Sequence, residues 1–155
     1  MIRPAKAQEL EAICALHALA FGNASEAALV RSLHTSGGAR LSLVAEVEGE
    51  IVAHALWSAL VTPIGWLALA PVATAVAHRS RGYASAVITH GLAKTRSGGW
   101  HGVIVLGAPS FYGRFGFCPA PDALSSDLPR PALQALGFGH APQGRLRYAQ
   151  AFEEL

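Results

Sequence analysis

The stretch from His78 to Ile88, HRSRGYASAVI, crowds two arginines, a serine and a glycine in front of an Ala/Val/Ile run of helical character. Such residues in such a place can bind an anion. A helix N-terminus carries unpaired N–H groups and about half a positive charge. When a short loop with a glycine precedes it, those N–H groups can converge on a phosphate. Gly82 supplies the room, Ala84 leaves the helix start approachable, and Arg79 and Arg81 add mobile charge. Spacing alone leaves a second reading open, a solvated loop with a routine cap.

Other reactive side chains make no such constellation. Cys14 and Cys118 form no CxxC and have no accompanying base motif, so they read as free thiols rather than nucleophiles. The seven histidines are scattered and none forms a His-x-x-x-His pair, so no metal is expected. His54 has an ordinary pKa of about 6.5, suited to a base. A lone histidine in an apolar strand is more often a hydrogen-bonded core group. His17 falls on the apolar stripe of the first helix, and Trp57 and Trp66 read as core.

Bulk composition narrows the class. At 155 residues the chain is expected to be a single domain over 1–155. Apolar residues make up 52% and charged residues 14%, which leaves the surface short of charge. That suits a protein that hides apolar area in a deep cleft or a homodimer. A net charge of +2 argues against nucleic-acid binding. The N-terminus, MIRPAKAQELEAI, turns polar too early for a signal peptide, so a cytoplasmic location is expected. No Asp, Glu, Lys or Arg occurs between Ile51 and His78, a span long enough to cross a bilayer. Pro63, Gly65 and Pro71 interrupt it, and two buried strands explain it better than a membrane segment.

The elements that must position the loop follow from periodicity. MIR starts a strand, and Pro4 to Phe21 contains a helix with Leu10, Ile13, Cys14, His17 and Phe21 on one stripe. Asn23 to Glu26 predicts a capping box for a second helix that ends at Ser36 to Gly38. A hairpin follows: strand Leu41 to Val47, turn Glu48-Gly49, strand Glu50 to Val61. Trp66 to Thr74 is a strong strand, Gly82 to Arg96 a helix, and Gly102 to Gly107 a buried strand of parallel type. A helix starts at Pro109, and a last strand is expected at Arg145 to Ala149. The order β-α-α-β-β-β-α-β-α-β predicts a mixed α/β sandwich with one right-handed parallel crossover.

Three motifs in order now carry a resemblance. Arg79-Ser80-Arg81-Gly82-Tyr83-Ala84 fits Q/R-x-x-G-x-G/A, LALAPVAT (Leu67 to Thr74) fits a fourth strand, and Gly107 to Phe117 fits G-x-P-x-[FY]-Y-x-R-F-G-F. Together they resemble the GNAT superfamily of N-acetyltransferases, and in particular small bacterial predicted acetyltransferases. The resemblance covers nearly the whole chain. It implies the GNAT-type fold: a mixed, mostly antiparallel sheet with a central parallel β-α-β unit, strands four and five splayed, and helices on both faces.

The resemblance also implies a chemistry. Acetyl-CoA would lie in the opening between the fourth and fifth strands. Backbone groups of Val72, Ala73 and Thr74 would pair with its pantetheine arm, and the N–H groups of Arg81, Gly82, Tyr83, Ala84 and Ser85 would hold its pyrophosphate. Arg79 and Arg81 side chains would reach phosphate oxygens, with Ser80 in the same loop. Tyr112 matches the position of the acid that protonates the leaving thiolate. Gly107 stands where many members carry a cofactor-holding asparagine, and Ala75-Val76 replaces a frequent Asp/Pro pair. Glu46 and His54 lie on hairpin strands that in this superfamily face the acceptor, and a water chain is an alternative base. The implied reaction is direct attack of a primary amine on acetyl-CoA, with no metal and no membrane partner. A CoA-binding regulatory module, or acetylation of a protein N-terminus, remains an alternative. Arg114 is left open between a place near the cofactor phosphates and one on the surface.

Overall fold

The computed structural model of the chain describes residues 1–154. Strand β1 (Ile2–Pro4) leads through a 3-10 turn into α1 (Leu10–Phe21) and α2 (Ser25–Ser36). Strands β2 (Ala39–Val47), β3 (Glu50–Ala59) and β4 (Trp66–Thr74) follow, then α3 (Tyr83–Ser97), β5 (Gly102–Leu106) and the single turn α4 (Pro109–Tyr112). The remaining strands are β6 (Cys118–Pro119), β7 (Leu124–Ser125), β8 (Leu133–Gly137) and β9 (Gly144–Arg145). The main sheet has the order β1-β2-β3-β4-β5-β8-β6. Only the β4–β5 neighbours run parallel in it. The expected mixed sheet with a central parallel unit is thus present.

Period-two alternation explains the two faces. On β3, Ala55 and Trp57 pack under α3 with Val87, Ile88 and Leu92. Leu56, between them, packs with Ile13, Leu29, Val30 and Leu33 from α1 and α2. On β5, Val103 and Val105 face α3, while Ile104 faces Leu124, Leu133 and Leu146 of the C-terminal segment. A Cβ on Gly91 would come within 2.1 Å of the Trp57 ring, so a bare helix face there seats α3 on the sheet. The charge-free span from Ile51 to His78 is accounted for by β3 and β4, two buried strands, and among the described residues no helix is long and apolar enough to cross a membrane.

Two expectations are corrected. The last long strand is not Arg145 to Ala149; only Gly144–Arg145 pairs, with β7, and Arg147 makes one isolated bridge to Thr62. The strand beside β5 is Leu133–Gly137 instead. At α2 the N-cap is Ala24, with no side-chain capping bond. Asn23 Oδ1 does accept the Ser25 N–H at 2.8 Å, but Glu26 closes no box.

One polar chain crosses the core. His17 Nε2 lies 2.8 Å from His54 Nδ1, and His54 Nε2 lies 2.8 Å from Ser42 Oγ. Both imidazoles are fully buried. Burial pushes the His17 pKa down to about 4, and burial, then the nearby His17, holds His54 well below its usual range. Both are therefore neutral at pH 7, while in the unfolded chain each would titrate near 6.5. Their depressed pKa values contribute stability that is present above pH 6.5 and is lost as pH falls towards 4. His17 alone should cost about 2 kcal/mol between pH 7 and pH 5. Urea unfolding should show the midpoint dropping across that interval, above most of the carboxylate range; a flat midpoint would contradict neutral, buried imidazoles.

Candidate active site between the fourth and fifth strands

The site begins with a break in strand pairing. β4 and β5 are paired at Trp66↔Gly102, Leu67↔Val103 and Ala68↔Ile104, and no further. β4 nevertheless continues to Thr74, held on its other side by β3 through Leu69↔Trp57, Val72↔Ala55, Ala73↔His54 and Thr74↔Ala53. Between Ala55 and Trp57 the register shifts, so that one residue of β3, Leu56, faces two of β4, Ala70 and Pro71. Such a bulge bends its strand and raises its twist. Pro71 has no N–H to offer a neighbour. β5 is paired on its far edge with β8 over its whole length. The edge of β4 from Leu69 to Thr74 is thereby left open on the side of β5.

A cavity lies at each end of this open edge. The first, about 490 Å³, is walled by the loop before α3 and the helix start, with Thr74, His78, Arg79, Gly82 and Arg114 among its lining. Gly82 is the N-cap of α3 with φ +82°, and its carbonyl takes the first helical bond, from Ala86 at 3.0 Å. The N–H groups of Tyr83, Ala84 and Ser85 precede that bond and are free of it, and all three residues line the cavity. Ser80, also in the wall, has φ +63°. The loop therefore turns twice through the left-handed region before the helix begins. A Cβ on Gly82 would meet no protein atom within 4 Å. A larger residue would be penalised by its backbone angle and by jutting into the cavity.

The cations sort differently from their sequence order. Arg79 lines the cavity, and its Nη2 donates to the Ala20 carbonyl of α1 at 2.9 Å. Arg81 is exposed and is not in the wall. Arg114 is in the wall, its guanidinium 5.0 Å from the Phe111 ring centre. His78 joins them; its Nδ1 is buried without a partner among the described residues. Arg114, left open by the sequence between the phosphates and the surface, reaches the wall from the turn after α4, while His78 belongs to the loop itself.

The second cavity, about 530 Å³, is mostly apolar. Leu69, Ala70, Pro71 and Val72 of β4 form one wall, and Phe21, Leu29 and Phe152 lie opposite among others. Tyr112 is in this wall, at the end of α4 and edge-on to Phe117 at 5.8 Å between ring centres. Burial pushes the Tyr112 hydroxyl pKa up, which keeps its proton in place at neutral pH. Gly107 lies under that ring: a Cβ there would come within 2.5 Å of Tyr112 Cε2. Its carbonyl accepts from buried Gln134 Nε2 at 3.2 Å. The glycine in the place of an asparagine thus leaves room for Tyr112.

Of the expected residues, Val72, Thr74, Arg79, Ser80, Gly82, Tyr83, Ala84, Ser85 and Tyr112 surround the two cavities. Ala73 is buried between Val72 and Thr74 on β4. Arg81, Gly107, Glu46 and His54 line neither cavity. Glu46 is bound to Arg3 through Nε at 3.0 Å, and His54 is enclosed in the histidine chain. Among the described residues no group of three His, Cys, Asp or Glu side chains is placed to hold a metal.

Comparison with known proteins bears on the same region. The acetyltransferase (GNAT) domain profile matches residues 1–120. Over 109 residues the chain is 33% identical to the uncharacterized N-acetyltransferase YhbS of Escherichia coli K12, a match covering 68% of this chain and 65% of that protein's length. The crystal structure of Escherichia coli YhbS in complex with CoA aligns with a TM-score of 0.90 at 27% identity, over 99% of this chain and 91% of that one. A GNAT family acetyltransferase from Brucella melitensis in complex with acetyl-CoA aligns with a TM-score of 0.86 at 31% identity, over 98% and 97% of the two chains.

Proposed function

The chain belongs to the GNAT acetyltransferase family, and we propose that it transfers an acetyl group from acetyl-CoA to a primary amine of a small molecule. One observation carries the reading. A single strand, β4, runs with an open edge from a cavity rimmed by helix N–H groups and cations to an apolar cavity holding a tyrosine. A donor with a pyrophosphate near one end and a thioester at the other fits that layout. The cocrystallised CoA and acetyl-CoA of the two similar structures support it.

In this reading the N–H groups of Tyr83 to Ser85 take the pyrophosphate, with Arg79 and Arg114 as outer charge. The pantetheine arm adds to the open edge of β4 at Val72 to Thr74, as an extended ligand adds to a sheet edge. A β4 N–H near the bulge polarises the thioester carbonyl. The amine nitrogen attacks the carbonyl carbon, the C–S bond breaks, and Tyr112 protonates the departing sulfur. Holding the two reactants in line is worth roughly 7–11 kcal/mol in well-oriented cases. Arg81 takes no part.

Calorimetric titration with acetyl-CoA should rank the loop variants. Gly82→Val should weaken binding more than about tenfold, because a β-branched residue resists the left-handed angle and its methyl groups enter the cavity. Arg79→Ala and Arg114→Ala should each cost no more than about fivefold, the worth of an exposed ion pair, and Arg81→Ala almost nothing. An Arg81→Ala loss as large as that of Gly82→Val would mean the wrong groups have been assigned to the anion.

Tyr112→Phe keeps the ring and removes the proton. It should lower kcat by roughly 10²–10⁴-fold, the usual worth of a positioned acid, with the KM for acetyl-CoA little changed. Undiminished turnover would remove Tyr112 from the mechanism.

A further inference from the structure

The apolar cavity beside Tyr112 contains one charged side chain among its described lining residues, that of Glu26 in the first turn of α2. The rest of the wall is aliphatic or aromatic, apart from the hydroxyls of Tyr112 and Tyr148. Burial pushes Tyr148 up to about 12, so that hydroxyl stays neutral. Glu26 has no ion pair or hydrogen bond of its own among the described residues. Its Oε1 is shut off from solvent with no donor facing it. The helix start does not use it either, since the N-cap is Ala24 and the Ser25 N–H is taken by Asn23. That oxygen has lost water without gaining a partner, and neither α2 packing nor capping supplies one.

We infer that Glu26 is the anchor for the acceptor's ammonium group and the base that deprotonates it, and that the acceptor is a primary amine carried on an apolar body. The wall chemistry sets the class. Phe21, Leu29, Leu69 and Phe152 would cover a hydrocarbon or aryl group, and a single carboxylate would select a cation at one end. An amino acid, whose own carboxylate would meet Glu26, is disfavoured, as is a polyamine, whose further charges would be buried without partners. This inference rests on the acetyl-transfer reading for its second half only. There, Glu26 accepts one proton from R–NH3⁺; the freed amine forms the C–N bond as the C–S bond breaks. The second nitrogen proton replaces the one that Tyr112 gives to the sulfur. The sum is R–NH3⁺ plus acetyl-CoA giving the amide, CoA–SH and one proton to solvent.

The test separates the two halves. Binding of 2-phenylethylammonium to the wild-type chain is compared with binding of 2-phenylethanol, a neutral molecule of similar shape, by NMR titration at pH 7. The ammonium should bind tighter by roughly 10- to 100-fold, the worth of hydrogen bonds to a charged partner. Glu26→Gln, nearly the same shape, should erase the preference and leave alcohol binding and acetyl-CoA binding as they were. No ammonium preference in the wild type, or an equal one in Glu26→Gln, overturns the inference even if acetyl-CoA binds and turns over. In turnover, Glu26→Gln should lower kcat/KM for 2-phenylethylamine by roughly 10²-fold or more with the KM for acetyl-CoA little changed; an undiminished kcat/KM overturns the role as base. If the ammonium preference holds but acetyl-CoA does not bind, the anchor stands and the acetyl-transfer reading falls.

Discussion

The molecule depends on one strand keeping only one of its two neighbours. β4 stays bonded to β3 out to Thr74 but leaves β5 after Ala68. A parallel pair that separates must expose N–H and C=O groups, and exposed edge groups otherwise invite another chain. Here the exposure lies inside a fold whose helices already close the sheet on both faces. The bulge at Ala70-Pro71 bends β4 beyond its last pairing with β5, while β5 stays held along its far edge by β8.

The two ends of the open edge are built from opposite materials. At one end the attraction comes from backbone: free N–H groups of α3 and a loop turned by Ser80 and Gly82, with arginines around the rim. At the other end the wall is apolar and carries a single carboxylate side chain among the described residues. Low polarity there strengthens whatever electrostatics remain. Burial keeps the proton on the phenol of Tyr112, and in the same wall one oxygen of Glu26 is buried without a hydrogen-bond partner among the described residues.

Much of this was legible in the residues, and the failures have a common cause. The hairpin, β4, α3 and β5 have strong local periods and are bounded by Gly or Pro, so their sequence and their structure agree. The turn before α3 was legible because a glycine ahead of a helical run is a local signal, and Gly82 takes φ +82° there. β8 was missed because Leu133–Gly137 sits in a Pro-rich stretch and is held by β5, far away in sequence. RLRYA, at 145–149, alternates like a strand yet finds almost nothing to pair with. Side-chain direction was also hidden. Arg81 faces solvent, whereas Arg114, just after α4, lines the first cavity. Glu26 looked like half of a capping box, and a one-residue difference in where α2 starts left it free to face the cavity.

The open edge of β4 is the central claim, and hydrogen–deuterium exchange read by mass spectrometry on peptides across the chain tests it most directly. Adding acetyl-CoA should slow exchange in two segments together, 69–74 on β4 and 82–86 at the start of α3, and much less along β2 or in the 120–145 segment. Slowing confined to the α3 loop, or absent from both segments while acetyl-CoA is bound, would contradict the account.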